Sequence, residues 1–218
     1  GIGLFRRGID TALFAPRHEA RQEFTSRYGV PEGINILYAG RVSRDKNVDL
    51  VVAVYRALIL EFPRLNLIIA GEGPELDDLK RQCRKEQRVF FLGRVDHGSM
   101  PEVYGASDLF IFPSVTDTFG RVVAEAQACG LPVLVSSEGG PQEIVEDGIN
   151  GAVLGDQTPE TWTDAARGYL QLLETDPEGY ERIREAARAS IIANYSMRAF
   201  IESLFAQKSA EPALRLPA

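Results

Sequence analysis

Short apolar runs of β-forming residues alternate along this chain with longer segments of helical period, and that alternation leaves few folds open. INILYAG (34–40), NLIIAG (66–71), VFFLG (89–93), LFIFPS (109–114) and PVLVSS (132–137) are rich in branched and aromatic residues, so each is predicted as a buried strand. All but the fourth run straight into Gly or Ser turns. Between them, VDLVVAVYRALILEF (48–62), PELDDLKRQCRKE (74–86), MPEVYGA (100–106) and FGRVVAEAQACG (119–130) carry apolar residues at three- and four-residue spacing and predict helices. Repeated strand–helix–strand units demand right-handed crossovers and a parallel sheet covered on both faces. GAVL (151–154) adds a short last strand; residues 159–207 read as helix only, broken at 176–179 and near Asn194–Ser196, and SAEPALRLPA ends as a frayed tail. The expected architecture is α/β: a Rossmann-like, doubly wound parallel sheet with helices on both faces and a helical C-terminal extension.

In such a sheet, ligands bind beyond the carboxyl ends of the strands. The polar residues of interest all fall on those loops. AGRVSRDK places Arg41 and Lys46 after the first strand, where two cations either grip a diphosphate or stand as solvated charges. AGEGP puts Gly71 and Gly73 after the second strand. The third glycine of a dinucleotide fingerprint would fall on Leu76, so a nicotinamide or flavin site has little support. A tight turn and close approach of a ligand to Gly71 both remain open. Arg94 and Val95 follow the third strand, with backbone groups suited to a planar base; His97 reads as an acid–base group or as a solvated loop histidine. Gly139 and Gly140 allow either a ligand or a structural turn.

The most informative loop is SVTDTFGRVVAEAQACG (114–130). Helix initiation near Thr118 is expected to leave the amides of Phe119 and Gly120 free, which favours an anion or polyol there. Glu125 lies four residues after Arg121 and pairs with it on the surface, or it faces the interior and needs partners. A vicinal diol would satisfy both carboxylate oxygens, and Asp117 would reach another part of the same ligand. Phosphate, diol and polyol together describe a nucleotide sugar.

Other partners fit less well. With a net charge of −7 and a pI near 5.0, no basic face is available to nucleic acid. Cys83 and Cys129 stand 46 residues apart with no His or Cys at ligand spacing, and are expected as reduced thiols of a cytoplasmic protein. No apolar stretch approaches the roughly 20 residues of a membrane span. Opening on GIGLFRRGIDTALF and not on Met, the chain is expected to be part of a longer protein.

From about Gly8 to Ser203 the chain resembles the retaining glycosyltransferases of the GT-B fold, the large group that includes glycogen synthases, sucrose synthases and lipid mannosyltransferases. GIDTALFAP is similar to the segment leading into their C-terminal, donor-binding half. AGRVSRDKNVDLVV resembles their phosphate loop, DTFGRVVAEAQACGLPVLVSS their signature of two acids separated by seven residues, and GGPQEIVEDGINGAVL the segment after it. The first acid is usually Glu and here is Asp117; TDTFG is similar to a minority form in some mannosyl- and glucosyltransferases. The resemblance implies catalytic roles for Arg41, Lys46, Asp117 and Glu125. Arg41 and Lys46 would hold the diphosphate and Glu125 the ribose hydroxyls. Asp117, Thr118, Phe119 and Gly120 would hold the sugar, and the backbone around Gly71 and Val95 would complete the substrate site.

It also implies the C-terminal half of a GT-B fold: residues 1–15 leading in from a missing N-terminal domain, 16–194 forming the nucleotide-sugar domain, and 195–218 a C-terminal helix and tail. The implied reaction moves a hexose from a nucleoside diphosphate sugar with retention, without a metal or cofactor. The acceptor (glycan, lipid or small molecule) would be reached through the missing domain, and the full-length protein would be cytoplasmic or membrane-associated. This chain alone would then be inactive. A nucleotide-sugar epimerase of related fold, or a non-catalytic nucleotide-sugar-binding module, are the alternatives.

Overall fold

Every predicted apolar run forms a strand. In the computed structural model, which describes residues 8–17 and 19–202, β1 (Ile34–Ala39), β2 (Leu65–Ala70), β3 (Val89–Gly93), β4 (Leu109–Phe112), β5 (Val133–Ser136) and β6 (Gly151–Leu154) build one sheet. All neighbours are parallel, in the order β3-β2-β1-β4-β5-β6. β2 and β4 are buried along their whole length, whereas β3, at the edge, is half-buried throughout. Continuous apolar runs are what a strand covered on both faces requires.

Packed around the sheet are α1 (Ala20–Tyr28), α2 (Val48–Leu58), α3 (Leu76–Gln82), α4 (Met100–Gly105), α5 (Arg121–Ala128), α6 (Pro159–Thr175) and α7 (Pro177–Asn194). Right-handed crossovers run outward from β1 to β3, then back past β1 to β4 and on to β5. This reversal puts α2 and α3 on one face and α4 and α5 on the other. α6 packs on α2, and α7 on α5, so the C-terminal extension covers both layers. The carboxyl ends of β1 and β4 are neighbours whose chains leave in opposite directions, and a crevice opens between such loops.

Helix limits are tighter than the apolar pattern suggests. α2 ends at Leu58, α3 begins two residues after Pro74, and α5 begins at Arg121. α1 has no counterpart among the predicted helices, because only Ala20 and Phe24 of ARQEFTSRY are buried and its polar face dominates. The breaks in the extension fall where expected. Asp176 ends α6 and caps α7, its Oδ1 accepting from the Gly179 amide at 2.9 Å, and residues 197–202 are again helical.

The backbone of Ile9 lies against that last break, donating to Tyr195 O at 2.7 Å and accepting from the Met197 amide at 3.0 Å. Phe14 is fully buried, and Arg188 on α7 donates to its carbonyl at 3.1 Å. Cys83 and Cys129 are free and buried. The predicted tail, residues 203–207 of the helical prediction and residues 1–7 lie outside the described residues.

Candidate functional site

The loops after β1 and β2 are laced together. Gly40 donates to Ala70 O at 3.0 Å, Val42 to Glu72 O at 2.9 Å and Glu75 to Val42 O at 3.2 Å, continuing the sheet past its formal end. A side chain on Gly71 would collide with the Gly40 carbonyl, and one on Gly73 with that of Val42. Both glycines are therefore required by backbone packing in the absence of any ligand. The buried Tyr38 hydroxyl donates to Arg41 O at 2.7 Å and pins the loop that carries Arg41. Burial, helped by Asp117 and Asp45, raises the Tyr38 phenol well above its ordinary value, so it remains a donor.

A cleft of about 510 Å³ opens over these loops. Arg41, Gly71 and Val95 line it with Arg94, His97, Tyr104, Arg121 and Glu125. Arg41 is exposed and pairs with no carboxylate among the described residues. Glu125, on the first turns of α5, is only 4% exposed. Arg121 Nε donates to its Oε1 at 2.8 Å, the Tyr104 hydroxyl donates to Oε2 at a long 3.4 Å, and His97 Nδ1 lies 3.8 Å from Oε1. Burial pushes the Glu125 carboxyl above the ordinary carboxylate range, and Arg121 pulls only part of the way back. Of the roughly four acceptor positions on a carboxylate, several stay open to a donor entering the cleft. The surface pair and the buried acid, alternatives in the sequence, are thus both realised: Arg121 is half exposed and Glu125 is not.

Lys46 and Asp117 stand apart from that lining. Lys46 ends a short 3₁₀ turn (Arg44–Lys46), and its Nζ lies 2.6 Å from Asp117 Oδ2, with Ser114 Oγ at 3.2 Å and Thr116 Oγ1 at 3.3 Å. The Ser114 hydroxyl also donates to Asp117 Oδ2 at 2.9 Å. Thr118 is exposed beside them. Phe119 and Gly120 face inward: the Phe119 ring packs on Tyr195 at 6.1 Å, and a side chain on Gly120 would strike Pro141. Gly120 is the residue before the first turn of α5, with φ +77°, so the free amides begin at Arg121, one or two residues later than the sequence suggests. Gly139 and Gly140 pack against the Asp117–Phe119 backbone, the Gly140 amide donating to Asp117 O at 2.7 Å.

Sequence reasoning missed Tyr104 and Ser114. Each is an ordinary polar residue in its segment, and only the tertiary approach of α4 to α5, or of the β4 loop to Lys46, gives it a partner. Among the described residues, no cluster of His, Cys, Asp and Glu is arranged to hold a metal ion, and no helix is long and apolar enough to cross a membrane.

This geometry has close relatives. The D-inositol 3-phosphate glycosyltransferase of Xylanimonas cellulosilytica is 33% identical over 192 residues, covering 84% of this chain and 45% of the relative. Among solved structures, Anabaena Alr3699/HepE in complex with UDP is 25% identical with a TM-score of 0.80, covering 94% of this chain and 56% of that one. Sucrose-phosphate synthase from Thermosynechococcus elongatus is 26% identical with a TM-score of 0.79, covering 94% and 52%. The chain spans about half the length of these proteins. The sequence profile described as Glycosyl transferases group 1 matches residues 21–190. With that match over most of its length, the chain belongs to the glycosyl transferases group 1 family.

Proposed function

We propose that this chain is the donor-binding domain of a retaining hexosyltransferase, and that its cleft takes a nucleoside diphosphate sugar. One observation carries this: a single crevice at the strand switch point joins an arginine without a carboxylate partner among the described residues, a buried and under-satisfied carboxylate, and strand-end backbone at Gly71 and Val95. Base and ribose enter along Gly71 and Val95, with the diol on Glu125. The diphosphate meets Arg41 and Lys46 and the amides that open α5. The hexose extends toward Asp117 and the loop through Thr118, Phe119 and Gly120, of which Phe119 and Gly120 contribute backbone and shape. The UDP held by the Anabaena relative supports a nucleotide at this edge.

The chemistry asked of these residues is electrostatic. Arg41 and Lys46 neutralise charge on the departing nucleoside diphosphate, and Asp117 fixes the sugar so that the acceptor attacks the face the nucleotide leaves. No metal is assigned a part. The acceptor is bound by the remainder of a cytoplasmic or membrane-associated protein, for which residues 1–15 are the connection, 16–194 the donor domain and 195–218 the closing helix and tail. Family membership favours this over an epimerase.

Titration calorimetry of the chain with UDP, GDP, ADP and their hexose conjugates, without added metal, tests the proposal. A dissociation constant of about 0.1–1 mM is expected for a cleft with one wall, about −4 to −5.5 kcal/mol. Absence of heat with every one of these ligands overturns it. Transfer of labelled sugar by the complete protein separates catalysis from mere binding.

A further inference from the structure

Lys46 has no N–H to spare. An ammonium carries three donors. Asp117 Oδ2, Ser114 Oγ and Thr116 Oγ1 surround this one at 2.6, 3.2 and 3.3 Å, and its side chain is only 16% exposed. A phosphate oxygen reaches Lys46 only by displacing one of these partners. Arg41, without a carboxylate partner among the described residues, requires no such exchange.

Among the three hydrogen-bonding partners Asp117 is the anion; a second carboxylate, Asp45, lies farther off at 3.7 Å and accepts from the Thr116 hydroxyl at 3.1 Å. A diphosphate brought alongside would share one cation with the carboxylate that already holds it at 2.6 Å, and two anions gathered on one ammonium repel each other in a partly buried site. Asp117 is also ready to leave. Its side chain is 29% exposed, and Oδ1 accepts no hydrogen bond from the described residues.

We infer that Lys46 is transferred from Asp117 to the donor diphosphate on binding, and that the carboxylate so released takes up the sugar hydroxyls. The inference rests on the donor-binding proposal above. It makes Asp117 an internal competitor of the diphosphate when no sugar is attached and an ally when one is. After transfer, with the sugar gone, Asp117 retakes Lys46 and loosens the nucleoside diphosphate. One ion pair thereby favours donor over product.

The test is a double-mutant cycle by calorimetry on the whole 218-residue chain. The probe is whichever of UDP, GDP or ADP binds most tightly, with melting scans to confirm folding. Asp117→Asn should tighten this bare diphosphate about three- to tenfold, and should change its affinity less than about twofold in a Lys46→Met background. A gain that survives in Lys46→Met is plain charge repulsion and overturns the inference, as does unchanged or weaker binding in Asp117→Asn. Thr116→Val is the control. Should it tighten binding where Asp117→Asn does not, the threonine is the exchanged partner and the inference falls. If neither the wild-type chain nor Asp117→Asn binds any of the three diphosphates, the inference falls; if the hexose conjugates fail as well, the donor-binding proposal itself has failed.

Discussion

The two ends of the sheet carry similar residue types put to opposite uses. At the amino end, Arg21 donates to Gly33 O and Asp108 Oδ1, both at 2.6 Å. Asp108 Oδ2 accepts from the Asn35 amide at 2.7 Å, Asn35 Nδ2 donates to Ala106 O, and Asn66 bridges Pro31 O and Asn35 Oδ1 while receiving Arg88. Each charge in this network is spent on backbone or on a neighbour. At the carboxyl end, Arg41 finds no carboxylate among the described residues, and Glu125 is buried with one good hydrogen bond and one long one. The amino end also has the larger hollow, about 860 Å³ against about 510 Å³. If the proposed cleft is the site, size does not mark it and unsatisfied charge does.

The largest effect that would sharpen this contrast lies at the amino end. Asp108→Ala strands the Asn35 amide, which is 3% exposed as a residue, and should cost about 2–4 kcal/mol of stability, read as a lower urea midpoint. Nucleotide affinity, measured where the variant is folded, should stay put. At the other end the pattern should invert. Arg41→Ala is expected to leave the melting temperature alone and to weaken a nucleoside diphosphate by about 1.5–3 kcal/mol, with little change for the bare nucleoside. Equal loss for nucleoside and diphosphate would show that Arg41 serves the fold, and the contrast would break.

Glu125→Gln should weaken nucleoside diphosphate and sugar conjugate alike by about 1–3 kcal/mol, because one acceptor oxygen becomes a donor facing a hydroxyl. Its melting temperature at pH 7 should equal or exceed the wild type, since a neutral amide removes the desolvation cost of the buried anion. The pH dependence follows from the direction of the shift. With its native pKa raised by burial, Glu125 contributes stability below about pH 4.3, the ordinary glutamate value, and loses it as pH rises through the native value. The advantage of Glu125→Gln in melting temperature should therefore grow between about pH 4.3 and neutrality and then level off. A falling advantage would mean that Arg121 more than repays the burial. The smallest effect belongs to His97→Ala. His97 is half exposed and 3.8 Å from Glu125, so melting and nucleotide affinity should both move by less than about 0.5 kcal/mol.

Much of the fold is legible in the sequence because a strand covered on both faces must be apolar at nearly every position, as LFIF is throughout and LNLIIA is apart from the hydrogen-bonded Asn66. α1 is illegible for the converse reason: two buried residues in nine make no periodic signal. Arg41, Gly71 and Val95 fall on loops, and Glu125 on the first turns of α5, that the parallel topology gathers at one edge, so they can be named before any coordinates. Gly71, though, is explained first by the Gly40 carbonyl against it. The pairing of Lys46 with Asp117 joins residues 71 apart in sequence and depends on a loop closing by a few ångströms, a detail no residue pattern encodes.

The pairing of Ile9 with the break at Tyr195–Met197 gives the molecule the topology of a nearly closed ring. A covalent linker between those two points would cost little closure entropy, and new chain ends could be opened at an exposed turn such as Gly148, whose φ is +74° and around which no atoms crowd. Such a permuted protein keeps every strand neighbour while the direction from which the backbone reaches the donor edge is redrawn. The order in which a ribosome delivers the six strands is thereby separable from the order in which the sheet holds them.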